Sequence, residues 1–137
     1  MELPKKEYVE LRCYYTWVGD DGIVRTKVKN GAEIELEDAI ENSRVVNGFQ
    51  IAEKFPIIVD TGQIKSMSKE ARDFFSLRNR ESKVNSIAII RNKVIGNMIA
   101  NFFIGLNKPA VPVKLFSREQ EAVEWCKQFK KSVHVSG

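Results

Sequence analysis

Asp60 is the first residue whose setting suggests chemistry, because it closes the apolar run Phe55-Pro56-Ile57-Ile58-Val59 and precedes Thr61-Gly62. In α/β domains the carboxyl ends of such strands are where ligands bind, since the loops there open onto helix N-termini. Ser66, Ser68 and Arg72 follow closely. Hydroxyls at the start of a helix can hold an anion, and the planar guanidinium of Arg72 can grip an acidic group of a partner. Each residue also has an ordinary reading that stands ahead of the functional one. Asp60 caps its own loop by accepting the Gly62 amide, Ser68 is the N-cap of the next helix, and Arg72 is solvated or in a surface ion pair. Asp60, Ser66, Ser68 and Arg72 are the candidate ligand- or partner-binding set. No catalytic residue, metal ligand or cofactor is nominated.

The remaining reactive side chains do not form a constellation. His134 is the only histidine and stands near the end of the chain, with no cysteine, serine or carboxylate in a readable triad or metal spacing. Cys13 and Cys126 are far apart and outside any CxxC pattern, and both fall on apolar faces, so buried inert thiols are expected. Gly96 and Gly105 build neither a GxGxxG turn nor a P-loop. Tyr8, Tyr14, Tyr15 and Trp17 cluster on one strand and read as core and sheet-face packing ahead of a ligand platform. With 22 basic and 18 acidic residues the net charge is +4, and the densest cationic scraps are Arg78–Arg80 and Arg91–Lys93. Phosphate tracking needs clustered cations, so nucleic-acid binding is not expected.

These residues must be positioned by a chain of 137 residues, enough for one domain with a core that needs no staples. Residues 1–137 are read as a single domain with frayed ends at 1–7 and 130–137. Glu10–Val18 alternates, with Leu11, Cys13, Tyr15 and Trp17 assigned to one face and Arg12, Tyr14 and Thr16 to the other. Gly19-Asp20-Asp21-Gly22 is a hairpin turn, and Ile23–Val28 the returning strand. A helix follows with Leu36, Ala39, Ile40 and Ser43 on its core face, stopped by Asn47-Gly48. Phe55–Asp60 is a central strand. A helix capped by Ser68 presents Ala71, Phe74, Phe75 and Arg78. Ser86–Arg91 is the next buried strand, and Asn92–Asn107 a helix ended by Pro109. Pro112–Phe116 is the last strand, and Ser117-Arg118-Glu119-Gln120 a capping box for a final helix with Ala122, Trp125, Cys126 and Phe129 inward. Strand and helix alternate after the hairpin, which predicts parallel pairing with right-handed crossovers. The most apolar stretch, Val94–Leu106, contains Asn97 and Asn101 and is too short to span a bilayer. The N-terminus lacks the apolar core of a secretory signal, so a cytoplasmic location is expected.

The segments Ile57–Phe75 (IIVDTGQIKSMSKEARDFF), Ile99–Phe116 (IANFFIGLNKPAVPVKLF) and Glu121–Trp125 (EAVEW) resemble the SpoIIAA-like domains, relatives of the STAS domains of anti-sigma-factor antagonists and sulfate-transporter tails, within a bacterial subgroup. The resemblance covers about half of the chain firmly and most of the rest loosely. It implies an α/β, SpoIIAA-like (STAS-like) fold: a mixed sheet with an N-terminal antiparallel hairpin, then βαβαβα with parallel strands and about four helices. STAS domains of the anti-sigma type are binding modules switched by phosphorylation at the start of the helix after the central strand. Their pattern there is an Asp, then, about eight residues on, an Asp-Ser-Ser-Gly-like run. With Asp60 on the first Asp, Ser68 falls on the second, Lys69 and Glu70 on the two serines, and Ala71 on the glycine. The phospho-switch serine is thus absent.

The expected function is a non-enzymatic protein-interaction or regulatory module, with a protein partner or a second copy meeting the Ser66–Arg80 region. The alternative is a small-molecule or lipid-binding domain whose cavity lies between helix and sheet, flanked by Val94–Leu106 and of about 300–1,000 Å³.

Overall fold

The computed structural model describes residues 1–77, 82–90 and 111–130. The elements are β1 (Val9–Glu10), β2 (Tyr14–Val18), β3 (Val24–Val28), β4 (Glu33–Ile34), α1 (Leu36–Gly48), β5 (Phe55–Asp60), β6 (Ser66–Met67), α2 (Lys69–Leu77), β7 (Val84–Ile90), β8 (Val113–Phe116) and α3 (Glu119–Lys127). The six-stranded sheet has the order β1-β2-β3-β5-β7-β8. The β1-β2 and β2-β3 pairs are antiparallel, and β3-β5, β5-β7 and β7-β8 are parallel. The expected mixed sheet with its hairpin and parallel α/β continuation is therefore the observed one. Three helices are described. The expected fourth, Asn92–Asn107, lies outside the described residues, as do Arg78, Arg91 and His134.

The turn between β2 and β3 closes through Gly22 N–H to the Gly19 carbonyl (2.9 Å) and Ile23 N–H to Asp21 Oδ1 (3.0 Å). Gly22 takes φ +78°, a backbone state that side chains resist. A short second sheet, β4 parallel to β6, was not expected from the sequence. It is two residues long on each strand, too short for alternation to be read.

Each face of the main sheet has its own cover. Ile23, Ile58, Ala88 and Ile90 pack with Ala122 and Cys126 of α3. On the opposite face Tyr14, Val28 and Ile34 pack with Ala39 of α1 and Ala71 of α2. Met1 packs beside the α3 cluster, and its carbonyl accepts from Lys27 Nζ at 2.7 Å. Arg25, its side chain only 9% exposed, ties the hairpin to α3. Its guanidinium donates to Asp21 Oδ1 and Oδ2 (2.8 Å each) and to Glu119 Oε2 (2.8 Å).

Three local expectations are corrected. The strand Glu10–Val18 is broken: Leu11 N–H donates to the Tyr14 carbonyl (2.7 Å), separating β1 from β2. The face carrying Tyr14 and Thr16 is also more deeply buried than Tyr15, because helices cover both sides of the sheet and alternation no longer distinguishes core from solvent. On α1 the buried positions are Asp38, Ala39, Asn42 and Val46, while Leu36, Ile40 and Ser43 are half-buried. The helix is rotated toward its polar side because hydrogen bonds satisfy Asp38 and Asn42 there. Finally, α3 has Arg118 as its N-cap with no side-chain cap, so Ser117 builds no capping box. The box belongs to α1, where Glu35 and Asp38 reciprocate.

Replacing Arg25 by Met keeps the packing of the stem but leaves Asp21 and Glu119 without their shared cation. Urea unfolding should show a loss of about 2 kcal/mol, at the low end for a broken ion pair because both carboxylates reach water.

Candidate functional site

The cavity face of the sheet is set by register. Thr16 lies opposite Thr26, Thr26 opposite Val59, and Val59 opposite Ile89, so one rung runs from hydroxyl to hydrocarbon across four strands. The neighbouring rung is Val18, Val24, Ile57 and Ile87. Over these rungs α1 and α2 border a partly open cavity of about 140 Å³. This is smaller than the expected volume for drug-sized ligands and close to the ~150 Å³ of an apolar cavity that takes up benzene. Ile57, Val59, Ile87 and Ile89 form its floor, Val46 lines it from α1, and Phe74 and Phe75 from α2. The two phenyl rings meet edge to face at 5.9 Å.

Its polar end is built on β2, β3 and α1. Thr16 Oγ1 donates to Asn42 Oδ1 (2.6 Å) and lies 3.1 Å from Thr26 Oγ1, while Asn42 Nδ2 donates to Thr26 Oγ1 (3.5 Å). With the Thr16 proton committed to Asn42, Thr26 must donate to Thr16, so the three side chains close a ring. All three are buried. Two residues along β2, Tyr14 is 3% exposed, and its Oη has no hydrogen-bond partner among the described residues. Such an orphaned hydroxyl costs roughly 1–3 kcal/mol, and nearly all buried polar groups in folded proteins avoid it. Burial first, then the proximity of Cys13 and Asp38, pushes the Tyr14 phenol far above its ordinary pKa. It is a neutral donor.

Arg12 and Asp38 fasten α1 to the start of β2. Arg12 Nε donates to Asp38 Oδ1 at 2.9 Å, its Nη2 to Asp38 Oδ2, and Nη2 also to the Glu33 carbonyl (2.9 Å). Asp38 Oδ2 accepts the Glu35 amide as well (2.9 Å). Burial alone would raise the Asp38 pKa, but the bonds from Arg12 and Glu35 outweigh it and hold the carboxyl below its usual range. Burial pushes the thiols up, to about 11 for Cys13 and about 12 for Cys126. Neither is an activated nucleophile.

The residues nominated from the sequence sit elsewhere. Asp60 Oδ1 accepts the Gly62 amide (2.9 Å), the loop-cap role, and Oδ2 lies 3.2 Å from the Met1 ammonium. Gly62 takes φ +52°, and a Cβ there would stand 3.0 Å from the Val28 carbonyl. Ser68 Oγ accepts the Ala71 amide (3.1 Å), as expected of an N-cap. Ser66 is exposed on β6, paired with Glu33, and Arg72 is half-buried on α2. Asp60 shares the parity of Ile58 and so faces α3, whereas Ser68 and Arg72 belong to the α2 side. None of the four lines the cavity. Of those that do, Tyr14 is read from the sequence as packing ahead of a ligand platform, and Thr26 and Asn42 are not singled out. The one signal for them is Asn42, a polar residue amid the buried positions of a helix. Among the described residues no group of three or more His, Cys, Asp or Glu could hold a metal ion. No helix among them is long and apolar enough to cross a membrane.

A hairpin leading into a one-directional parallel sheet, with α1 and α2 on one face and α3 on the other, is the SpoIIAA-like arrangement. A crystal structure with that fold, of an uncharacterised DUF3478-family protein from Shewanella loihica PV-4, superposes with a TM-score of 0.59. The identity is 17% over 91% of this chain and 99% of that one, a likeness of fold alone. Residues 16–130 match the family described as a domain of unknown function, DUF7793, and the chain belongs to it. No curated protein matches the chain.

Two outcomes test the site's electrostatics. The stability that Asp38 contributes is present above its unfolded pKa, near 3.9, and is lost as pH falls through the depressed folded value. The gap in unfolding free energy between the native chain and Asp38→Asn should therefore be open at pH 6 and narrow as pH falls toward 3. At pH 8 a thiol titrating near 11 is roughly one part in a thousand thiolate. Iodoacetamide should leave Cys13 and Cys126 unmodified in the folded protein and label both in denaturant, read by intact mass.

Proposed function

We propose that this domain is a non-enzymatic regulatory binding module that holds a small, largely apolar molecule between α1, α2 and the sheet. The observation that carries the reading is the cavity itself: hydrocarbon on the floor and along α2, with Thr26 and Asn42 at one end and Ser43, Asn47 and Ser82 at the other, a make-up common to ligand sites. The described residues that line it include no carboxylate, imidazole, thiol or cation, the groups that would activate its serine, threonine or tyrosine hydroxyls for nucleophilic attack. Its volume suits a body of about six to ten non-hydrogen atoms, by comparison with the benzene-sized precedent.

A second reading, a protein partner or second copy meeting the Ser66–Arg72 surface in the cytoplasm, is favoured by the position of α2. This helix carries Phe74 and Phe75 on the cavity and Lys69 and Glu70 in solvent, just after exposed Ser66. The two readings are compatible. A molecule displacing the phenyl rings would bear on the helix whose outer side meets the partner, which is how occupancy could bias an interface.

Titrating the ¹⁵N-labelled protein with toluene should produce saturable amide shifts at Val46, Ile57 and Ile87, and Ile87→Trp, which fills the cavity, should abolish them while keeping the dispersed spectrum of a folded domain. Shifts that grow linearly, without saturation and only at exposed positions, would remove the ligand-binding reading.

A further inference from the structure

Resting on the cavity reading above, we infer that the bound molecule is a small carboxylic acid that enters with its apolar body first and leaves its carboxylate at the Ser43 and Ser82 end, beside the Lys54 ammonium. A gradient of burial gives the direction. At one end Thr26 and Asn42 are buried, and their polar groups are satisfied in the ring they close with Thr16. At the other end Ser43, Asn47 and Ser82 are half-buried, so this is the end that water reaches. A molecule with one charged group is most stable with that group here, still hydrated, and its hydrocarbon over Ile57 and Ile87.

The open end is furnished with donors. The Asn47 side chain bridges α1 to the start of β7: Nδ2 donates to the Ser43 carbonyl (2.9 Å) and Oγ (3.2 Å), and Oδ1 accepts the Lys83 amide (2.9 Å). Ser82 Oγ accepts the Val84 amide (3.0 Å). Both serine hydroxyls therefore accept, and neither donates to a described residue, which leaves each a proton for an incoming acceptor. Just outside the lining, Lys54 Nζ donates to the Ser82 carbonyl (3.0 Å) and pairs with no carboxylate among the described residues. Hydroxyl donors beside a cation favour an anionic acceptor, since charge-assisted hydrogen bonds are roughly twice as strong as neutral ones. The two oxygens of a carboxylate can serve both serines. An amine head would meet the like charge of Lys54, and a pure hydrocarbon would use none of these groups.

The test titrates phenylacetate, 2-phenylethanol and toluene into the native protein, Lys54→Gln and Ser43→Ala by the same amide-shift measurement. Lys54 is exposed and the Asn47 amide keeps the Ser43 carbonyl in the second variant, so both should retain the native spectrum. Phenylacetate should bind the native protein about fivefold more tightly than 2-phenylethanol, with its largest shifts at the Ser43, Asn47 and Lys83 amides. Its affinity should fall roughly threefold in Lys54→Gln and about fivefold in Ser43→Ala, while toluene binds all three proteins alike. Phenylacetate bound no more tightly than 2-phenylethanol, or bound equally by the native protein and either variant, would overturn the inference, and saturable toluene binding would leave the cavity reading standing. Binding of no probe to any of the three proteins would remove both.

Discussion

Two parallel strands cannot be joined by a tight turn, so the steps from β3 to β5 and from β5 to β7 must leave the sheet and come back. The crossovers of such units are almost always right-handed, and here the strands are laid down strictly in one direction. Elements that cross over in the same sense while the sheet grows one way must lie on the same side of it. This single constraint places α1 and α2 together over the rungs of Thr26, Val59 and Ile89, and leaves the other face to α3, which follows the last strand. The cavity is a consequence. Two helices set on one face by topology, with Ala39 and Ala71 as small contacts between them and the sheet, do not fill all the space above the strands.

The two faces differ in how they are held. Under α3 the contact is hydrocarbon on hydrocarbon, with Arg25 pinning the hairpin to the helix at its margin. Such a face stabilises in proportion to area and tolerates small adjustments. Under α1 the contact includes a closed ring of Thr16, Thr26 and Asn42 and an ion pair between Arg12 and Asp38. The buried groups of the ring add little net stability over well-packed hydrocarbon, but each fixes a geometry, because a displaced partner leaves another group unsatisfied; the Arg12 guanidinium holds the buried Asp38 from the solvent side. The cavity lies between that hydrogen-bonded corner and the edge-to-face phenyl pair of α2.

Much of this architecture was legible in the chain. The apolar run Phe55–Asp60, the Gly-Asp-Asp-Gly turn and Ser68 before an amphipathic stretch each report a local preference, and local preferences survive into the fold because nothing opposes them. The site was harder to see. Asp60, Ser66, Ser68 and Arg72 attract notice because polar residues in a loop beside a strand end are where ligands often sit, yet two of them, Asp60 and Ser68, serve their own backbone. Tyr14, Thr26 and Asn42 come from a strand, its neighbour and a helix, and each alone looks like packing. The capping box followed the same logic: Ser117 had the expected spacing, but the helix started one residue later, and Glu35 with Asp38 held the motif instead.

The sequence by itself determined the alternation of strands and helices, the hairpin, the burial of the two cysteines and the family to which the chain belongs, all matters of local pattern and burial preference. Only the tertiary structure decided which side of β2 faces the cavity, how far α1 is rotated, and that a tyrosine hydroxyl is buried without a partner among the described residues. A period of two or 3.6 says which residues share a face but not what will cover it. When both faces of a sheet are covered, that choice is made by packing among segments distant in the chain.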